Sequence, residues 1–209
     1  MGYSIINIDS WARKNAYLFY KDFDDPYFNF TVNVDITSLL KRCKTANESF
    51  FLNTIYLALS VANTIDNFKI RFNENELVIH DSIDGGSTLL YDDESFGFGY
   101  YNFDTDRETF ILNAQKEIDY RKSTKSFEPN EDQGKNNLIY FSSVPWMTFT
   151  STKHAQHNSI NKSIPRITIG KYFNLKDQIM MPVNVEANHA LMDGYHLGLF
   201  FERFEARSR

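Results

Sequence analysis

Hydrophobic positions change their spacing several times along the chain, and each change marks an expected element. Over 10–20, Ser10 stands where a helix cap belongs and Trp11, Leu18 and Phe19 recur among polar residues, which predicts an amphipathic helix. After Asp24-Asp25-Pro26, a turn, Phe28, Phe30, Val32 and Val34 alternate with residues of mixed polarity, the period of a half-buried strand that Asp35 ends. Thr37 or Ser38 then caps a short helix containing Leu39, Leu40 and Cys43. The segment 49–63 is apolar almost throughout, so a well-buried helix is expected there. Phe68, Ile70 and Phe72, then Asn73-Glu74-Asn75, then Leu77 and Ile79 predict a hairpin.

Further strands are expected over 87–91 and 96–103. A surface helix over 105–125 follows, with Phe110, Ala114 and Ile118 on its buried face, and then a polar loop over 128–137. Strand character resumes over 138–143, 147–151, 166–171 and 178–187. In the last of these, Pro182 points to an edge or a bulge, because proline cannot donate to a ladder. Leu197, Phe200, Phe201 and Phe204 among charges make a closing helix from 195 onward. Hairpins with few, separated helices predict an α+β fold on a largely antiparallel sheet, in one domain spanning 1–209.

Composition narrows the function. With 19 Phe and 12 Tyr, the chain holds more flat apolar surface than a core of this size needs, so part of it should line a pocket or an interface. A net charge of -5 argues against a general nucleic-acid partner, which would call for an excess of Lys and Arg. Cys43 is the sole cysteine and cannot form an internal disulfide, and the start of the chain lacks a charged region followed by an apolar run, so the cytoplasm is the expected compartment. No apolar stretch approaches the about 20 residues that span a bilayer, so no membrane partner is expected.

Chemistry concentrates in Asn188-His189-Ala190-Leu191-Met192-Asp193-Gly194, where the last strand gives way to the last helix. An imidazole, whose ordinary pKa lies near neutrality, can take a proton from an alcohol and return it to a leaving thiolate. Asp193 can fix the local backbone or balance a nearby cation, and Gly194 permits a sharp turn that a side chain would block. Taken alone the spacing is loose, and polar residues at such a turn more often satisfy backbone groups. His80, His154, His157 and His196 lack the spacing of metal ligands, and no metal is expected.

The segment resembles the His-His-x-x-x-Asp-Gly-Phe-His signature of the chloramphenicol acetyltransferases, with Asn188 replacing the first histidine and His189 keeping the second, the catalytic one. Other landmarks of that family stand in order: Trp11-Ala12-Arg13, Phe19-Tyr20, Val34-Asp35-Ile36-Thr37, Ser142-Ser143-Val144-Pro145-Trp146, Thr168-Ile169-Gly170-Lys171-Tyr172 and Met181-Pro182. The resemblance spans nearly the whole chain. It implies the two-layer sandwich of the CoA-dependent acyltransferases and an acetyl-CoA-dependent transfer to the hydroxyl of chloramphenicol, a small-molecule acceptor.

By the same resemblance His189 is the general base, Ser142 the oxyanion donor (Ser143 if the register slips by one), and Thr168 holds a water against the tetrahedral intermediate. Asp193 and Arg13 form a structural ion pair. Tyr20 belongs to the acceptor pocket, for which Phe19, Phe28, Phe30 and Phe141 are further candidates, and Lys171, Tyr172 and Trp146 face coenzyme A. The family's arrangement is a homotrimer with active sites at subunit interfaces. Two other readings compete: the same chemistry on a different hydroxylated small molecule, which a panel of alcohols would separate, and a non-catalytic trimeric scaffold, which would release no thiol with any acceptor.

Overall fold

Alternation between Phe28 and Val34 and between Ile179 and Val185 produces the two longest strands, which pair antiparallel with the second buried and the first left partly exposed at the sheet's edge. A computed structural model describes residues 2–74, 76–127, 135–155 and 163–209. In chain order it contains β1 (Tyr3–Ile5), a 3-10 turn (Ile8–Ser10), α1 (Lys14–Tyr20), β2 (Tyr27–Asp35), α2 (Thr37–Ala46), α3 (Phe50–Ala62) and α4 (Asp66–Lys69). There follow β3 (Ile70–Asn73), β4 (Glu76–His80), β5 (Asp84–Leu90), β6 (Phe96–Tyr101) and α5 (Arg107–Thr124). The C-terminal part comprises β7 (Leu138–Val144), β8 (Arg166–Gly170), β9 (Phe173–Leu175), β10 (Gln178–Asn188) and α6 (Gly194–Ser208).

The large sheet runs β2-β10-β8-β7-β5-β6, with β9 paired to β10, and a small sheet runs β1-β4-β3. Only the β5–β7 and β7–β8 pairs are parallel, so the sheet is mixed and largely antiparallel, as expected of this α+β fold. Helices cover one face. Val183 and Val185 of β10, Ile167 and Ile169 of β8, Leu52, Ile55 and Leu59 of α3, and Leu197, Phe200 and Phe204 of α6 share one buried cluster. The alternate positions of β10, Asn184, Glu186 and Asn188, are also buried, so this strand is apolar toward the helices and polar toward the other face. That polar, buried row is where chemistry can be placed.

Several local expectations change. The helix expected over 10–20 is split into the 3-10 turn and α1, because Asn7 caps the turn and Arg13 sits at the N-cap of α1 with its side chain engaged elsewhere. Neither Thr37 nor Ser38 caps α2: Ile36 is the N-cap residue, and Oδ1 of Asp35, just before it, accepts from the Thr37 N–H at 2.9 Å. Segment 147–151 is not a strand; Trp146 and Met147 are exposed, and the segment lacks a partner strand to make a ladder with.

Pro182 lies in a central strand rather than at an edge, opposite Asn33 of β2. On its other side β8 pairs with Val183–Glu186 and β9 with Gln178–Met180, so the proline falls in a break of the ladder where a missing N–H costs nothing. Gly194 is likewise not a steric necessity: it opens α6 without a positive φ, and a Cβ there would meet only Phe30, at 3.5 Å. Of the loop expected over 128–137, residues 128–134 lie outside the described residues, as do Asn75 and His157. Among the described residues no helix is long and apolar enough to cross a membrane.

Candidate active site

The end of β10 is tied down from several directions before any reactive group is considered. Asn188 accepts the Ala190 N–H on its side-chain oxygen at 2.8 Å, and the Leu191 N–H donates to its carbonyl at 3.1 Å, which closes a tight turn. Leu191 is fully buried with Ile70 and Leu77 of the small sheet, while Asn67 donates to the Leu191 carbonyl at 2.7 Å. The His189 N–H donates to the Pro26 carbonyl at 2.8 Å, which holds the turn against the start of β2. Asparagine in place of the signature's first histidine therefore serves the backbone.

Asp193 follows as the N-cap of α6. Its side chain accepts the Tyr195 N–H at 3.0 Å, and its own N–H donates to Nδ1 of His196 at 3.1 Å, a reciprocal cap. The other carboxylate oxygen pairs with the Arg13 guanidinium, and Arg13 also reaches the His189 carbonyl at 3.4 Å. Burial works against the charged form of Asp193, but the hydrogen bond and charge of Arg13 outweigh it and hold the carboxyl below its ordinary range. Arg13 thereby joins the first helix to both ends of the histidine turn.

The His189 ring is clamped by aromatics. It stacks on Tyr20 with centroids 4.2 Å apart and planes 9° apart, and Phe28 closes the other contact at 4.5 Å. Its Nδ1 is buried and has no hydrogen-bond partner among the described residues, so stacking rather than a polar contact sets the ring plane. Phe19 packs edge-on to Tyr20 at 4.8 Å and Phe30 to Phe28 at 5.9 Å, and both remain half exposed or more. Four of the five aromatic candidates thus gather at the base. Phe141 does not: it is 2% exposed inside the main core, because its position on β7 faces the helices.

Ser142 and Thr168 stand side by side on neighbouring strands, and the same row continues through Asn184 to Thr31. His189 lies five residues beyond Asn184 on β10. That is about 17 Å along the strand, and Ser142 is two strands over, about 10 Å across. A side chain cannot bridge such a gap, so one chain does not bring its own Ser142 to its own His189. Thr168 is 1% exposed, and its hydroxyl shares a 3.0 Å hydrogen bond with Nε2 of His154, a residue that sequence spacing did not single out.

A cavity of about 690 Å³ opens beside Ser143. Trp146, Lys171 and Tyr172 line it together, joined by Phe50, Lys122 and Ser143. Gly170 at its floor allows close packing: a Cβ there would come within 2.7 Å of Phe149 and 2.6 Å of Pro182. The space is of the size that takes a cofactor arm. Its lining presents flat rings and two ammonium groups, those of Lys122 and Lys171. Among the described residues, no group of three or more His, Cys, Asp or Glu is placed to hold a metal ion.

An imidazole held at a strand-to-helix turn by an Arg–Asp pair, with the serine and threonine of the same signature paired on the sheet, can be compared with known proteins. The sequence profile of the chloramphenicol acetyltransferases matches residues 1–205.

The chain belongs to the chloramphenicol acetyltransferase family.

The acetyltransferase of Proteus mirabilis is 31% identical over 201 residues, covering 95% of this chain and 91% of that protein. That of Clostridium perfringens is 30% identical over 203 residues, covering 96% and 92%. A solved chloramphenicol acetyltransferase superposes over 100% of both chains with a TM-score of 0.90 at 27% identity. The dihydrolipoamide acetyltransferase of Azotobacter vinelandii shares the fold, with a TM-score of 0.67 at 12% identity over 98% of this chain and 89% of that one. Membership of the chloramphenicol acetyltransferase family makes this chain an acyltransferase.

Proposed function

We propose that this acetyltransferase moves the acetyl group of acetyl-CoA to a hydroxyl of chloramphenicol by direct attack within a ternary complex. The observation that carries the reading is the His189 ring, clamped between Tyr20 and Phe28 and braced through Arg13 and Asp193. The His189 imidazole takes the acceptor's hydroxyl proton as the oxygen attacks the thioester carbon. The C–S bond then breaks, and the proton passes to the sulfur, giving free CoA thiol and the acetyl ester. Ser142 donates to the oxyanion of the tetrahedral intermediate, a contribution on the order of 10²–10³ in rate. The flat walls of Tyr20, Phe19, Phe28 and Phe30 suit an aryl-bearing acceptor.

Acetyl-CoA takes the cavity of Trp146, Lys171 and Tyr172, its phosphates meeting Lys171 and its adenine a ring. The separation of His189 from Ser142 within one chain supports a homotrimer in which each histidine meets the serine of a neighbouring copy. The whole chain acts as one domain, in the cytoplasm, where acetyl-CoA is drawn on. The deciding experiment measures thiol release from acetyl-CoA with chloramphenicol for wild type beside His189→Ala. Turnover should fall about 10²- to 10⁴-fold with the melting transition preserved; equal rates would reject the assignment.

A further inference from the structure

His196, in the first turn of α6, has two groups competing for one ring nitrogen. The Asp193 N–H reaches its Nδ1 at 3.1 Å, and Oδ1 of Asp193 stands 2.9 Å from the same atom. Nδ1 can accept from the first or donate to the second, but not both. Oδ1 already receives the Tyr195 N–H at 3.0 Å, whereas the Asp193 N–H has no other acceptor among the described residues. The lone pair of Nδ1 therefore serves the amide, and the ring proton sits on Nε2.

The surroundings keep the ring in that state. Its side chain is 13% exposed, and burial, the largest influence, outweighs the pull of the Asp193 charge, with the Arg13 charge acting in the same direction as burial. The imidazole thus supplies the half of the cap box that a glutamate or glutamine commonly supplies at this position of a helix.

The residue held in this way is the one on which the catalytic turn leans. Asp193 turns its other oxygen to the Arg13 guanidinium, and Arg13 reaches the His189 carbonyl at 3.4 Å. From His196 to the base the route is three hydrogen bonds long. Among the described residues the His196 ring meets the Tyr195 ring edge-on at 5.5 Å, and not the His189 ring or its aromatic clamp, so any influence on the base passes through Asp193. Without an acceptor at 196, the N-cap residue loses one of the bonds that set its orientation. A displacement of about 1 Å at a reacting group can cost about 10²-fold in rate.

We propose that His196 is a positioning residue for His189: its imidazole holds Asp193 at the N-cap, and Asp193 holds Arg13 against the His189 carbonyl. The proposal rests on the acetyl-transfer reading above.

The test compares His196→Gln, whose side-chain oxygen can still accept the Asp193 N–H, with His196→Ala, which has no acceptor there. In steady-state thiol release, His196→Ala should lower kcat about tenfold and leave the Michaelis constants for chloramphenicol and acetyl-CoA within about twofold. His196→Gln should keep at least about a third of wild-type kcat. Beside Arg13→Ala, the change His196→Ala should cost less than about twofold more, because the link it supports is already cut. A loss that persists in full beside Arg13→Ala, that falls on a Michaelis constant, or that is equal in the two His196 variants would overturn the proposal, as would an unchanged kcat in His196→Ala. Amide hydrogen exchange reads the first link without turnover: the Asp193 N–H should exchange at least about tenfold faster in His196→Ala than in wild type or His196→Gln. Equal exchange in all three proteins would also overturn the proposal. Faster exchange in His196→Ala, beside a wild type that releases no thiol with chloramphenicol, would support the link and count against the transfer reading alone.

Discussion

Mixing two inactive variants tests the shared site most directly. His189→Ala removes the base and Ser142→Ala the oxyanion donor, and neither truncation leaves a void in the main apolar cluster, since both residues are partly exposed. Register puts the two about 17 Å apart along β10 and about 10 Å apart across two strands, far more than a histidine and a serine can reach. In the proposed trimer, each site draws its base from one copy and its serine from the next. In a cyclic trimer assembled at random from equal amounts of the two variants, a site is whole when the first copy carries His189 and the second Ser142, about one site in four. Co-refolded or co-expressed mixtures should therefore recover about a quarter of wild-type thiol release, against parents that are each lower by about 10²-fold or more. Size-exclusion chromatography of the mixture would confirm that hybrids form. Hybrids that stay as inactive as their parents would refute the division of the site between copies.

Replacing Arg13 with Ala should lower kcat, because the guanidinium braces both the His189 carbonyl and Asp193. The stability loss should be only about 1–2 kcal/mol in a denaturant titration, since the Asp193 carboxylate is 36% exposed and screened; an unchanged kcat would remove the bracing role. Stability should also depend on pH through His80, His154 and His196, whose pKa values are all pushed down, chiefly by burial. A lowered folded pKa means that the unfolded chain takes up protons first. Their contribution is then complete above about pH 6.5 and shrinks as pH falls toward the folded values. Thermal melts between pH 5 and 8, in units set by the buffer, should show the midpoint declining on the acid side, and His196→Asn should flatten that slope.

Much of the fold could be read from spacing because the relevant signals are local. The alternation of β2 and β10, the apolar run of α3 and the closing helix depend on which face of a strand or helix each side chain takes, and that follows from position alone. The His189 turn was legible in part for the same reason: Asn188, His189 and the Asp193 cap lie within seven consecutive residues, whereas its anchors Arg13, Pro26 and Asn67 come from distant segments. Where reading failed, the missing information was a partner. Segment 147–151 has strand-forming residues but, among the described residues, makes no ladder beyond the Lys171 N–H bond to the Met147 carbonyl, and Pro182 looks like an edge residue although the edge is a local break between β8 and β9. The short strands β1 and β9 were overlooked because three residues show no period. Phe141 was assigned to a pocket because aromatic character does not say which face of β7 is inside.

The chemistry divides along the same line. Spacing alone left the turn a loose pattern; the resemblance to the family nominates His189 as base and Asp193 and Arg13 as its support, and Lys171 with Tyr172 is a candidate cofactor surface, since a family's landmarks are carried by the covalent chain. Contacts across the sheet were beyond it: that His154 covers Thr168, that Tyr20 stacks on the His189 ring with Phe28 tilted against it, and that Ser142 stands too far from His189 to serve it in the same copy. Those facts arise from strand register, and register is fixed only when the apolar faces of distant segments are buried together.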